Sequence, residues 1–422
     1  MFQRTRLAFA AVLCLGQVAQ AQTEKPGPRG PVGPQASIAC KGVTIATGAD
    51  IQAAVKANPA GTTFCLAAGT YTNQHVRPKA GDKFIGAVGT ILDGGGKTNR
   101  AFVSTSATTN VTVQNLIVQN YIGGYQVPAI DGQNAIGWRI LNNEVRQNDG
   151  VGVAFAGSTL VQFNYIHHNL ESGYVSNPGS GILLVDNEIA FNNYTDKYDC
   201  NDECGGGKLW ATNGAVVNHN YSHDNHGPGL WDDFNNNAIA YSWNRIENNY
   251  GAGIHHEIGY NATIHDNVIL NNGSKAMKGP TCNWLWCAGI SIAASGGVGD
   301  GGSIEIFNNT ITPGSQYGNA IGLVQQNRSG SGEAGKPSMG AWHVQNVWVH
   351  DNTIDLSKGG NIGGVQDENN NGMFIASVHN NRFDLNHYIL GTNTKGPFWW
   401  NNKEGNKAFW QSQGMDLNGT FQ

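Results

Sequence analysis

RILNNEV (residues 139–145), LVQFNYI (160–166), LLVDNEI (183–189) and VVNHNYS (216–222) are four versions of one pattern. AYSWNRI (240–246), TIHDNVI (263–269), IEIFNNTI (304–311) and VWVHDNTI (347–354) continue it. In each, two or three residues of alternating polarity lead to an Asn, and an apolar pair follows. The marker residues are Asn143, Asn164, Asn187, Asn220, Asn244, Asn267, Asn308 and Asn352. Differences between neighbours are 21, 23, 33, 24, 23, 41 and 44 residues, so the basic period is about 21–24. The spacing of 33 carries a Cys200–Cys204 insertion, that of 41 a Cys282–Cys287 loop, and that of 44 reads as two periods.

Each period holds short runs of two-residue alternation separated by Gly and Asn, with no helical periodicity between them. A leucine-rich repeat has a similar length, but its Leu template is absent. The expected architecture is all-β, a solenoid of three short strands per coil that buries its core only by stacking. Stacked coils place equivalent residues one strand spacing apart, about 4.8 Å. Their Asn side chains then form a ladder, which makes these residues structural.

Composition agrees. Charged residues are 13% of the 422, yet the chain is 40% hydrophobic and holds 58 Gly, which suits many short strands and tight turns rather than disorder. A net charge of −5 without a Lys/Arg cluster excludes a nucleic-acid interface and gives no attraction to an anionic membrane. Arg4 and Arg6, the apolar run Leu7–Gly16 and Ala19-Gln20-Ala21 read as a signal peptide over 1–21, too short to span a bilayer, so the expected location is secreted or periplasmic. Six Cys remain beyond Cys14, an even number that suits disulfides: Cys40 with Cys65, Cys200 with Cys204, Cys282 with Cys287. The intervals lack the spacing and His partners of a zinc site. Residues 22–39 read as a flexible Pro/Gly leader, 40–400 as the solenoid domain and 401–422 as its C-terminal cap. Ala49–Asn58 is expected as an amphipathic cap helix, and Phe398, Trp399, Trp400, Phe409 and Trp410 as an aromatic cap at the other end. A solenoid capped at both ends needs no second copy, so a monomer is expected.

The coil pattern together with GADIQAAVKANPAGTTFCLAAGTY (48–71) resembles the pectate-lyase-like superfamily of single-stranded right-handed parallel β-helix proteins over about residues 40–400. That resemblance implies the fold and a carbohydrate polymer as partner. It does not imply one reaction, because the superfamily includes lyases, glycoside hydrolases, epimerases, esterases and non-catalytic adhesins. The block Gly205–Asn261 also resembles a subgroup of bacterial secreted β-helix proteins.

Three consecutive coils in that block share a template: Gly206-Gly207-Lys208-Leu209-Trp210-Ala211, Gly229-Leu230-Trp231-Asp232-Asp233-Phe234 and Gly253-Ile254-His255-His256-Glu257-Ile258. With Leu209, Leu230 and Ile254 inward, alternation sends Lys208, Trp210, Trp231, Asp233, His255 and Glu257 outward. Asp233 and Glu257 are one coil apart and fall on neighbouring strands. Stacked like charges disfavour a sheet, and other coils carry residues such as Ala293 and Gln326 there, so the pair marks a site rather than a solvated face. Paired carboxylates at strand spacing suit a glycoside hydrolase, with Asp233 expected as nucleophile or base and Glu257 as acid. Asp232 is a second candidate if it lies on a bend. His223 and His255 are candidate acid–base groups, and Trp231, Trp210, His256 and Arg245 candidate sugar contacts. The loops Asn193–Cys204 and Gly273–Cys287 project beside the site as cleft walls, and Asn327–Ser338 is a third, Gly/Ser-rich insertion expected to be mobile. No cofactor is required by this chemistry. A second reading is a polysaccharide lyase or C5-epimerase, with Lys208 and His255 as base and acid, and Arg245 or a Ca²⁺ held by Asp232, Asp233 and Glu257 neutralising a uronate. A third is a non-catalytic carbohydrate-binding or adhesive β-helix, which predicts no concentrated charge. No Gly-x-Ser-x-Gly elbow or phosphate loop occurs.

Overall fold

The alternating runs pair in parallel with their equivalents one coil on. Val217 stands beside Tyr241, Tyr241 beside Ile264, and Ile264 beside Ile306. All four are fully buried, because period-two alternation turns every second side chain into the coil's interior. The computed structural model describes residues 24–314, 318–328, 336–367 and 379–422. Among them, pairing builds three long sheets of 13, 13 and 12 strands, the first two wholly parallel. Each coil contributes one strand to each sheet in turn, so the chain is a parallel β-helix with one apolar core along its axis. The signal-peptide segment and residues 329–335 of the Gly/Ser-rich insertion lie outside the described residues.

The turn between the first and second sheets explains the repeating Asn. A residue with positive φ (Phe163 at 56°, His219 at 55°, Trp243 at 56°) reverses the chain, and the following Asn is buried. Asn143 donates from its backbone and side-chain nitrogens to Asn164 Oδ1 at 2.9 and 3.0 Å, and the relation repeats through Asn187, Asn220, Asn244 and Asn267. The next member is Asn309, not Asn308, which takes the positive-φ position instead. Asn309 bonds directly to Asn352, so the 44-residue spacing is one coil with an insertion rather than two periods. A second ladder runs parallel to it through Asn148, Asn169, Asn192, Asn225, Asn249 and Asn272. These amides satisfy the backbone groups that the turns would otherwise leave buried and unpaired.

Both ends are closed. Asp50 caps the α-helix Ile51–Ala57, whose Ile51 and Val55 cover the first coil. Phe398, Trp400 and Trp410 bury themselves at the far end, whereas Trp399 turns outward against Trp284. The strand Thr420–Phe421 adds a last member to the second sheet.

The leader is not a free tether. Gly27 N–H donates to Trp243 O at 2.9 Å and Gly33 N–H to Phe163 O at 2.8 Å. Arg29 meets the buried Asp186 carboxylate through Nε and Nη2 at 2.8 and 2.7 Å, and Gln35 N–H reaches Asn115 Oδ1 at 2.6 Å. Pro26, Pro28, Pro31 and Pro34 favour an extended strand of low conformational entropy, which lies across the turn row and uses its spare acceptors.

Candidate active site

The three template coils place strands Gly205–Trp210, Leu230–Asp233 and Ile254–Glu257 side by side in the third sheet. Lys208, Trp231 and His255 form one outward row, and Trp210, Asp233 and Glu257 the next. The second row continues as Ala293 and Val324, so Gln326 is not its member. Lys208 Nζ sits 3.2 Å from Asp233 Oδ2 and 4.4 Å from the centre of the Trp231 ring. His255 Nε2 lies 3.3 Å from Glu257 Oε2, and Arg328 donates to Glu257 Oε1 at 2.5 Å.

Two like-charged groups on neighbouring strands cannot both ionise cheaply in a buried setting. Burial, and then the Glu257 charge, push the Asp233 carboxyl up to about 7 against the pull of Lys208. Burial would raise Glu257 as well, but His255 and Arg328 hold it well below the ordinary carboxylate range. Below about pH 7 the pair thus holds its proton on Asp233 and its charge on Glu257. Sequence alone suggests Asp233 as nucleophile or base and Glu257 as acid. The two shifts favour the opposite order, since His255 and Arg328 both contact Glu257 while Lys208 contacts Asp233. Lys208 is raised despite burial by the charges of Asp233 and Glu203, and stays an ammonium.

A cavity of about 340 Å³ opens over this face. Trp231, His255 and Glu257 line it, with Asn201, Met277, Asn283, Trp286, Arg328 and Asp367 among its walls. The disulfides Cys200–Cys204 and Cys282–Cys287 close loops at its rim, and Cys40–Cys65 ties the segment before the first strand of the first sheet, Val43–Ile45, to the second, Thr63–Leu66. Three buried polar atoms cluster here without a hydrogen-bond partner among the described residues: Trp231 Nε1, Asp233 Oδ1 and His255 Nδ1. Unpaired buried groups are costly, so three together single out this face.

Several expected members lie elsewhere. Asp232 is not on a bend. It points into the coil with His256, and both are fully buried. Asp232 accepts from Tyr241 Oη at 2.8 Å and pairs with His256 Nδ1 at 2.6 Å, while His256 Nε2 bonds to Tyr260 O at 2.7 Å. Burial works against a charge on His256, but Asp232 raises its pKa, so the pair is an internal tie between neighbouring coils. His223 and Arg245 sit on the second sheet, on another face of the helix. His223 is held by Glu188 and Asp224, and Arg245 by Glu247. Trp231 is 3% exposed, a floor rather than an open platform. Trp210 is exposed but stacks on Phe234, and like Lys208 and Asp233, which lie one strand behind Trp231 and Glu257, it is outside the cavity lining. With Asp232 inside, the three carboxylates proposed for Ca²⁺ do not converge, and no metal-binding group of three or more His, Cys, Asp or Glu occurs among the described residues. Arg328, Trp286 and Asp367 were not foreseen, because they reach the site on loops whose return path no periodicity encodes. Glu171 and Glu203 flank Lys208. Burial pushes Glu171 up to about 8 and raises Glu203 too.

Residues 127–311 match the family described as right handed beta helix region. A search of curated proteins by sequence finds no match. Among solved structures, the catalytic unit of a GH87 α-1,3-glucanase from Streptomyces thermodiastaticus superposes with a TM-score of 0.58 at 12% identity, covering 93% of this chain and 70% of that one. The A-module of the mannuronan C-5 epimerase AlgE4 from Azotobacter vinelandii gives 0.53 at 18% identity, covering 92% and 96%. XylC, solved in complex with xylose, gives 0.53 at 12% identity, covering 84% and 83%. At these identities the likeness shows the right-handed parallel β-helix fold. Among the described residues no helix is long and apolar enough to cross a membrane.

Proposed function

We propose that this protein is an exported glycoside hydrolase acting on an oligo- or polysaccharide. One observation carries the reading: adjacent strands hold a carboxylic acid poised near neutrality, Asp233, beside a carboxylate locked in its ionised form, Glu257. That is the division of labour glycoside hydrolysis requires. Neighbouring strands lie about 4.8 Å apart, near the separation of about 5–5.5 Å used by retaining enzymes. In the first step the Glu257 carboxylate attacks the anomeric carbon as the glycosidic C–O bond breaks, and the Asp233 proton passes to the leaving oxygen. In the second, the Asp233 carboxylate takes a proton from water, whose oxygen attacks the anomeric carbon and frees Glu257.

Two solved proteins of like fold, a GH87 α-1,3-glucanase and XylC in complex with xylose, support a sugar ligand. Three disulfides and the signal-peptide pattern support export. The epimerase of like fold keeps uronate chemistry in view, but Lys208 is held protonated and is a poor base. The test is to incubate the protein with a panel of neutral and uronate polysaccharides and oligosaccharides. Reducing ends and ultraviolet absorbance are read together for wild type, Asp233→Asn and Glu257→Gln. New reducing ends without absorbance, lost in both variants, are expected. Absorbance from an unsaturated uronide, or full activity in both variants, would overturn the assignment.

A further inference from the structure

We infer that the site accepts the end of a glycan chain and not its middle. This deepens the hydrolase reading and rests on it. The outer face of an uninterrupted β-helix sheet is a trough along the axis, open at both ends, and a polymer can lie along it. Here the trough is shut in both directions. On the C-terminal side, Val324 and Val365 continue the row of Asp233 and Glu257, yet both are fully buried under Leu285 of the Cys282–Cys287 loop. Trp286 and Trp399 pack around this patch. Gly322 lets the loop down onto the sheet, since a Cβ there would stand 2.5 Å from Leu285 O. The Trp286 indole N–H fastens the wall to Asp367 Oδ2 at 2.8 Å.

On the N-terminal side, Lys208 crosses Trp231 and donates to Asp202 O at 2.6 Å. The Cys200–Cys204 loop is held down by Gln126 Nε2 on Glu203 at 2.8 Å and by Tyr125 Oη on Asp202 at 3.0 Å. The two loops meet along one flank, where Cys200 N–H donates to Lys278 O at 3.0 Å. Gln326 and Asp367 stand on the opposite flank, bonded to each other. A polymer threaded through would have to lift Leu285 out of its buried seat and pass two loops, each stiffened by a local disulfide and pinned by the contacts above. A terminal sugar needs none of this. It enters from above, rests over Trp231 beside Trp286, and presents its glycosidic bond to Glu257. The chemical class of substrate is therefore the chain terminus, or a short oligosaccharide, of the glycan that the screen identifies.

The experiment uses wild-type protein, with two probes made from whichever glycan of the panel is cut: the intact polymer, and its oligosaccharides labelled at the reducing end with 2-aminobenzamide. Expected are labelled products that shorten by one fixed unit at a time, and polymer viscosity that stays near its starting value while sugar accumulates. A spread of fragment sizes with an early collapse of viscosity would overturn the chain-end inference and leave the hydrolase reading standing. If instead no glycan of the panel is hydrolysed, the hydrolase reading falls, and this inference falls with it.

Discussion

At the scale of single residues, the decisive contacts are those on Glu257: His255 first, from the same strand, and then Arg328, bridging 71 positions of sequence. Together they keep the Glu257 charge in place and leave the proton to Asp233. The activity should therefore have an alkaline limb near pH 7, where Asp233 gives up its proton, and an acid limb set by Glu257 far below it. A pH profile of kcat/KM checks this, and a limb at pH 4–5 from an unshifted acid would contradict it. Asp233→Asn and Glu257→Gln should each cost about 10²–10⁴-fold in kcat/KM. The same shift has a consequence for stability. A carboxyl raised in the folded state binds its proton more tightly there than in the unfolded chain. Its contribution is complete below the unfolded pKa and is lost as pH rises through about 7. Asp233→Asn should thus be more stable than wild type at pH 8, and urea titrations at pH 5 and pH 8 would show the gap widening. The spacing of one coil made the carboxyl pair readable from sequence. Which member holds the proton was not readable, since that depends on how His255 turns toward Glu257 and on Arg328 arriving from a distant loop.

At the scale of elements, periodicity told most of the story. Strand runs, coil length and the Asn turn all follow from local pattern, because each coil repeats the same problem of reversing a chain inside a stack. Two details escaped. The sequence IFNNT offers two Asn, and only geometry shows that Asn308 adopts positive φ while Asn309 enters the ladder. Asn309→Ala should leave buried backbone and amide donors unpaired and cost about 1–3 kcal/mol in urea unfolding. Asn308→Ala should cost less, since it disturbs only a left-handed turn residue. Similar losses for both would mean that the ladder contributes little. The other detail is Asp232 with His256, expected as a second carboxylate on a bend and as a sugar contact, which the structure buries inside the coil and pairs, with Tyr241 as a further partner. Of the disulfides, Cys40–Cys65 closes the longest loop, with a separation of 25 against 4 and 5. On the chain-entropy model its loss should cost about 3.5 kcal/mol against about 2 for either short bridge. Cys→Ser pairs compared by thermal unfolding would check the order.

At the scale of the whole molecule, the leader was the part least legible. Its Pro and Gly content reads as a free tether, because the acceptors that capture it belong to turns far along the chain. Arg29→Ala should leave the Asp186 carboxylate, fully buried as a side chain, with Gln162 as its remaining side-chain donor. With the guanidinium half exposed, a cost of about 1–2 kcal/mol is expected. Proteolysis should then begin in residues 24–35, and unchanged protection there would show that the backbone bonds suffice. The leader also has a role as a ruler. It touches one coil after another, from Trp243 back to Asn115, and each contact needs the turn residue of that coil to stand in its proper row. A coil paired one residue out of step would present its opposite face and carry its acceptor away. The earliest segment of the described chain can therefore dock only once half the chain has wound correctly, and its docking certifies the count.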